Sequence, residues 1–187
     1  GAPASDGSFA QWPIFVQANN IDASKVTIVS VGFPVREPML ASGEVDAITG
    51  FSFSSYINLK DRGVPANDIT VLLMADYGVN LYGNTIMVNP KFAAEKPEAV
   101  KAFLRAFTKG MKDVLADPDG SIKYVKDRDA LVDETLEKRR MKLAIESAIA
   151  TPEAKKEGIG AVTTPRLTEM VNQVSTAFEV KNPVKPE

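Results

Sequence analysis

The sequence predicts an α/β protein, with a mainly parallel sheet in its first part and a helix-rich second part. Three observations carry this. Short apolar, β-branched runs alternate with helix-like stretches as far as about residue 75, the pattern of strand–helix–strand units. The early helical stretches close on glycine. Beyond residue 89 the apolar spacing changes from that of strands to that of helices.

The runs VTIVSV at 26–31, VDAITGF at 45–51 and ITVLLMA at 69–75 read as strands, and NTIMVN at 84–89 as one more. Between them, PMLAS closes on Gly43 and SSYINLKDRG on Gly63, where a residue without Cβ ends a helix at low steric cost. The opening GAPAS reads as the last residues of another strand whose first half is missing. In the second part, Pro97 suits a first helical turn, and Val100, Phe103, Leu104, Phe107, Met111, Val114 and Leu115 keep helical spacing until the stretch 117–120 stops the helix. A second helix fits 134–150. A third starts at Thr164 and Pro165, with Leu167, Met170, Val171, Val174 and Phe178 on one face. The tail KNPVKPE, rich in proline and polar, is expected to be loosely ordered. A helix-rich half with one strand cannot bury its apolar faces alone, so a further covering element is expected.

Composition removes more chemistry than any motif adds. With 187 residues, 44% hydrophobic and 25% charged, the chain is long and apolar enough for a buried core. A formal charge of -2 supplies no basic field for nucleic acid. There is no cysteine and no histidine, which excludes disulfides, thiolate nucleophiles, cysteine or histidine metal sites and histidine-based triads. No apolar run approaches the roughly 20 residues that span a bilayer. GAPASDG lacks the basic and apolar regions of a signal peptide.

Three stretches could carry a site. ASDGSFAQW places Ser5, Asp6 and Ser8 at a strand-to-helix junction, where free N–H groups and the helix dipole favour an anion or polar acceptor. Asp6 also suits a helix cap, Pro13 suits a kink or a second helix start, and Trp12 suits the core. GFSFSS, residues 50–55, lies at the carboxyl end of a predicted parallel strand, where open α/β sheets bind ligands. It lacks the final glycine of a nucleophile elbow, and the chain lacks the histidine that a hydrolase would need. As a binding surface, Phe51 offers an apolar face, and Ser52, Ser54 and Ser55 offer neutral hydrogen bonds. The plainer reading, compatible with the first, has Ser52 capping the next helix. ADYGVNLYGN, residues 75–84, combines Tyr77, Tyr82 and two glycines at a crossing that could hinge. The pair Glu44 and Asp46 and the run EKRRMK read as solvated surface.

Taken together, GAPASDGSF, LASGEVDAITGF, YGNTIMVNPKFAAEKPEAVKAFLRAF and GIGAVTTPRLTEMVNQV resemble the second part of a periplasmic substrate-binding protein of an ABC importer. The resemblance is to the type serving pyrimidine precursors of thiamine, alkanesulfonates, taurine and nitrate. It covers most of the chain and says little about the ligand. It implies a periplasmic-binding-protein type II-like fold with two hinged α/β lobes, the first built from both ends of the chain. Residues 1–77 would then be lobe two, and 78–187 the helix-rich returning portion of lobe one. The chain is on this reading a fragment without the amino-terminal part.

The implied function is reversible binding of a small solute in an interlobe cleft and delivery to a membrane permease, without catalysis, cofactor or metal. The resemblance places Ser5, Asp6, Ser8, Trp12, Phe51, Ser52, Ser54, Tyr77 and Asn84 at or near that cleft. Trp12, Phe51 and Asp6 favour a pyrimidine-type heteroaromatic ligand over a sulfonate or nitrate, which would seek N–H and hydroxyl donors away from carboxylates. It further implies a monomer that is periplasmic or otherwise extracytoplasmic, free or lipid-anchored. Two other readings stay open: a ligand-sensing domain of a transcriptional regulator, and an enzyme of the pyrimidine-synthase type, which depends on histidine that this chain does not have.

Overall fold

A computed structural model of the chain describes residues 1–182, 184 and 185. Part of the tail KNPVKPE, namely residues 183, 186 and 187, lies outside the described residues, and with it part of the expectation made for that tail. The helices are α1 (Gly7–Ala10), α2 (Trp12–Ala18), α3 (Arg36–Ala41), α4 (Ser52–Asp61), α5 (Pro90–Glu95), α6 (Pro97–Ala116), α7 (Pro118–Lys126), α8 (Glu134–Ala144), α9 (Pro152–Glu157) and α10 (Thr164–Ala177). They divide between two compact units: Gly1–Tyr82 with the chain from Val162 onward, and Gly83–Ala161.

In the first unit the helices begin and end as their sequences dictate. Asp6 caps α1, and Pro13 sits in the opening turn of α2, so the chain breaks between two short helices where proline allows no continuous one. α3 and α4 are followed by Gly43 and Gly63 in the left-handed region, at φ +76° and +87°. α3 packs on α4, and α2 on α10. Ala2, Ile14, Val45, Ile57, Leu59 and Val79 are the buried apolar side chains of this unit among the described residues.

The predicted sheet is not formed as a ladder. The runs 26–31, 45–51, 69–75 and 84–89 carry no regular strand pairing, and the pairing among the described residues is one isolated parallel bridge, Ala2 to Ser30. Its geometry explains why. The N–H of Ala2 donates to the carbonyl of Val29 (3.0 Å) and the N–H of Val31 to that of Ala2 (3.2 Å). On the other side the Gly1 amine donates to the Ala47 carbonyl (2.6 Å) and the N–H of Thr49 to that of Gly1 (3.4 Å). Gly1 and Ala2 therefore lie between the 26–31 and 45–49 runs in parallel register. They pair with the carboxyl half of each run, leaving the earlier residues without a neighbour. Val26 and Ile28 are accordingly exposed, at 38% and 47%.

α10 is tied to the stretch 78–82 by side chains reaching backbone. Gln173 Nε2 donates to the Gly78 carbonyl (2.7 Å), the N–H of Asn80 donates to Gln173 Oε1 (3.0 Å), and Arg166 Nη2 donates to the Leu81 carbonyl (2.9 Å). Arg166 also lies 4.5 Å from the Tyr82 ring centroid, and the Tyr82 hydroxyl accepts from the N–H of Thr163 (2.9 Å). The chain thus leaves this unit at Tyr82 beside the point where it returns.

In the second unit α6 packs on α5 and α7, and α7 on α8. The expected stop after α6 is a corner. Asp117 ends α6 and its side chain caps α7, accepting from the N–H of Gly120 (2.9 Å), so Gly120 falls inside a helix that sequence spacing did not reveal. A Cβ on Gly120 would collide with the capping carboxylate of Asp117. α8 is capped by Asp133, whose Oδ1 accepts from the N–H groups of Thr135 (2.8 Å) and Leu136 (3.0 Å), and its carboxyl end widens into a π-helical turn over Ile145–Ile149. The EKRRMK run lies on α8, where Arg140 pairs with Glu137. Ile122 is the large side chain buried most fully, at 1% exposure, while Phe103, Leu104 and Phe107 on α6 remain 42–56% exposed. Ile122→Ala is expected to lower unfolding free energy by about 2–5 kcal/mol, read as a lower urea midpoint with an unchanged slope.

A buried ionic cluster joins two candidate loops

Pro3 ends the short extended entry, Ala4 and Ser5 form a turn, and Asp6 follows, 5% exposed. Asp6 Oδ1 accepts from the N–H of Ser8 (3.2 Å), which starts α1. The other oxygen accepts from the Thr49 hydroxyl (3.1 Å) and lies 3.6 Å from Arg36 Nη1. Arg36 opens α3 and is only 7% exposed. Its Nε (3.1 Å) and Nη2 (2.7 Å) both donate to Glu37 Oε1, and Nη2 also donates to the Ser55 hydroxyl (3.0 Å) on α4. One guanidinium thus bridges the ASDGS loop, the start of α3 and the GFSFSS tip.

Desolvating an arginine costs several kcal/mol unless its donors are met. Here two carboxylates and a hydroxyl meet them. Burial pushes the Glu37 carboxyl up, but hydrogen bonds from Arg36 and Ser55 outweigh it and hold it below its ordinary 4.5. Gly50 makes the approach possible: a Cβ there would stand 2.6 Å from Ser55 Oγ and 2.9 Å from Arg36 Cζ.

Around this cluster the predicted site residues separate. Ser5 is exposed beside Asp6, and Ser8 is buried. Phe51, 46% exposed, stacks on Phe53 with ring centroids 5.2 Å apart. Ser52 does not cap α4. It is the first helical residue, Phe51 occupies the cap position, and no side chain satisfies that end. Because the N–H groups of Ser54 and Ser55 turn back to the Phe51 carbonyl (3.0 and 2.9 Å), those of Ser52 and Phe53 are left with no partner among the described residues. Ser54 lies half-buried on the same turn.

Trp12 and Tyr77 belong elsewhere. Trp12 stacks on Phe15 (5.9 Å), and Phe15 meets Tyr77 edge-on (6.1 Å). Asn84 is exposed and lies in the other unit. Glu44 is exposed, as expected, and accepts from the Ser42 hydroxyl (2.7 Å).

Sequence reasoning missed Arg36, Glu37, Thr49 and Gly50. The signal was the dipeptide Arg36–Glu37 opening a helix directly after the apolar GFPV, a place where paired charges can be buried.

An open depression of about 530 Å³ in the first unit, sharing Thr49 with this cluster, is lined by Gly1, Ala2, Phe9, Trp12, Phe15, residues 25–29 and 44–49, with Leu72 and Met74. A groove of about 450 Å³ in the second unit, between Leu104 and Lys112, is only the flank of α6. Among the described residues no group of three or more acidic side chains could hold a metal ion, and no helix is long and apolar enough to cross a membrane.

Arg36→Met leaves two buried carboxylates without their cation and is expected to cost about 3–5 kcal/mol in urea unfolding. Glu37, with its folded pKa below the unfolded one, contributes stability that is fully present above about pH 4.5 and lost as pH falls through the folded value. Acid unfolding of the Glu37→Gln protein is therefore expected to depend less steeply on pH below that point.

Comparison with known proteins places the chain. The family described as NMT1/THI5 like matches residues 1–121. The riboflavin-binding protein RibY of Chloroflexus aurantiacus is 32% identical over 120 residues, 64% of this chain and 33% of that protein. A formylaminopyrimidine-binding protein of Halalkalibacterium halodurans is 32% identical over 113 residues, 57% of this chain and 32% of the relative. The chain spans about a third of the length of these curated relatives. Both are named for binding. No solved structure gives a significant match. With the match spanning more than half its length, the chain belongs to the NMT1/THI5-like family.

Proposed function

We propose that the chain is part of the solute-binding component of an ABC importer, which holds a small molecule reversibly and passes it unchanged to a membrane permease. The observation that carries this is the locking of two strand-to-helix tips, ASDGS and GFSFSS, into one surface by the Arg36 cluster. That surface offers donors and an aromatic face, with no histidine or cysteine to drive a reaction.

Phe51 presents an open ring already stacked on Phe53, suited to a flat heteroaromatic solute. The unpaired N–H groups of Ser52 and Phe53 at the start of α4, with the Ser5 and Ser54 hydroxyls, supply donors for ring carbonyls or an anionic group. Asp6 and Ser8 hold the first tip in place rather than meet the solute, since both Asp6 oxygens are engaged within the protein. The relatives' ligands, riboflavin and formylaminopyrimidine, are flat heteroaromatics and support the same class over a sulfonate or nitrate. The role implies a monomer working outside the cytoplasm. Closure of the whole protein would exclude water and strengthen each hydrogen bond.

Calorimetric titration of the whole protein with riboflavin, formylaminopyrimidine, taurine, an alkanesulfonate and nitrate is expected to give saturable binding to a heteroaromatic. Phe51→Ala should weaken it about 3- to 10-fold. Binding of the anions alone would overturn the ligand class, and no binding of any would overturn the transport reading.

A further inference from the structure

The cluster that ties the two tips together is charged, and its sign bears on which solute they accept. Arg36 lies 3.6 Å from Asp6 and 2.7 Å from Glu37, so one cation stands against two carboxylates. The contacts fix both as ionised. Asp6 is met by donors on both oxygens, the Ser8 N–H, the Thr49 hydroxyl and the Arg36 guanidinium, so an acid proton on either would face another donor. Glu37 Oε1 accepts twice from Arg36, and against the upward push of burial the hydrogen bonds from Arg36 and Ser55 hold its carboxyl below its ordinary value. The side chains of Arg36, Glu37 and Asp6 are 8%, 5% and 4% exposed, where counter-ions screen the surplus negative charge only weakly.

Arg36 has nothing left to offer an anion. Its Nε and Nη2 are engaged by Glu37 and Ser55, its Nη1 lies against Asp6, and the Phe33 ring centroid stands 5.8 Å from its Cζ. The chain around both tips supplies little else. From residue 1 to residue 59 the basic side chains are Lys25 and Arg36, against Asp6, Asp22, Glu37, Glu44 and Asp46, and Lys25 is exposed and paired with Asp22. The start of α4 carries the positive end of a helix dipole, about half a unit of charge, which alone would favour an anion. The cluster opposes it with a full unit at the same tip: Gly50 lies where a Cβ would stand 2.9 Å from Arg36 Cζ, and Ser55, one turn into α4, is bonded to the guanidinium. The larger charge decides the sign, so the free N–H groups of Ser52 and Phe53 serve as donors to a neutral carbonyl rather than to an anion.

We infer that the surplus carboxylate charge of Asp6 and Glu37 makes the tips select by charge, holding a neutral or cationic heteroaromatic ring and rejecting the same ring when it bears a carboxylate or phosphate. The inference rests on the solute-binding reading proposed above. It goes further by assigning selectivity to charge rather than to ring shape, and to two side chains buried behind the solute surface.

The test is calorimetric titration of the whole protein with one aminopyrimidine carrying a hydroxymethyl, an aminomethyl or a carboxylate group, so that the ring stays constant while its charge is neutral, positive or negative. The natural protein is expected to bind the first two about ten-fold or more tighter than the third. Glu37→Gln keeps an oxygen to accept from Arg36 and removes the surplus charge. It is expected to move the ratio of aminomethyl to carboxylate affinity toward the carboxylate by about ten-fold or more, with the hydroxymethyl ring little changed. The ratio is the readout because a partly unfolded variant weakens every ligand alike. Asp6→Asn, which still accepts from the Ser8 N–H, removes the other carboxylate charge and is expected to move the ratio the same way. Equal affinity of the natural protein for all three rings, or parallel weakening of the three in both variants, overturns the charge selection and leaves the solute-binding reading standing. Binding of neither riboflavin nor any of the three rings overturns that reading and the inference with it.

Discussion

One buried guanidinium organises the first unit. Arg36 stands where three loops meet, and each would otherwise bring an unpaired polar group inside: Asp6 from the amino-terminal turn, Glu37 from its own helix, Ser55 from α4. In a low-dielectric interior none of these is tolerable alone, so each holds the others in position. The absence of a side chain at Gly50 completes the arrangement by letting a strand tip pass within contact of the guanidinium. The proposed solute surface depends on this cluster, because Phe51, Ser52 and Ser5 are placed by the loops that it ties together.

The rest of the structure divides along the range of its hydrogen bonds. A helix satisfies its backbone from residues four apart, so α6, with its proline start and regular apolar spacing, forms even though Phe103, Leu104 and Phe107 face outward. A parallel strand has no such local recourse. Residues 26–31 and 45–49 are paired strand-fashion, among the described residues, where Gly1 and Ala2 reach them.

The depression is lined by residues 25–29 and 44–49 with the rings of Phe9, Trp12 and Phe15. The tips at Ser5 and at residues 51–54 offer free helix-start N–H groups, hydroxyls and an open ring, which suits a solute. In a parallel α/β arrangement such tips lie at the carboxyl ends of the strands, away from the positions that the strands themselves occupy.

Local chemistry was legible in the sequence by itself: the Asp6 cap, the break at Pro13, the glycines that follow α3 and α4, and the starts of α6, α8 and α10 are all decided by residues a few positions apart. So was the family likeness, carried by blocks such as LASGEVDAITGF, and the exclusion of histidine and cysteine chemistry. What spacing could not show was that α7 begins at once after Asp117, since a cap followed by proline and glycine reads as a stop. Only tertiary structure decided that Arg36 is buried between Asp6 and Glu37, that Trp12 and Tyr77 meet at Phe15 rather than at the tips, and that the strand-like runs lack a ladder. Ion pairing and strand pairing join residues tens of positions apart, and no local pattern records which of many charged or apolar residues will be brought together.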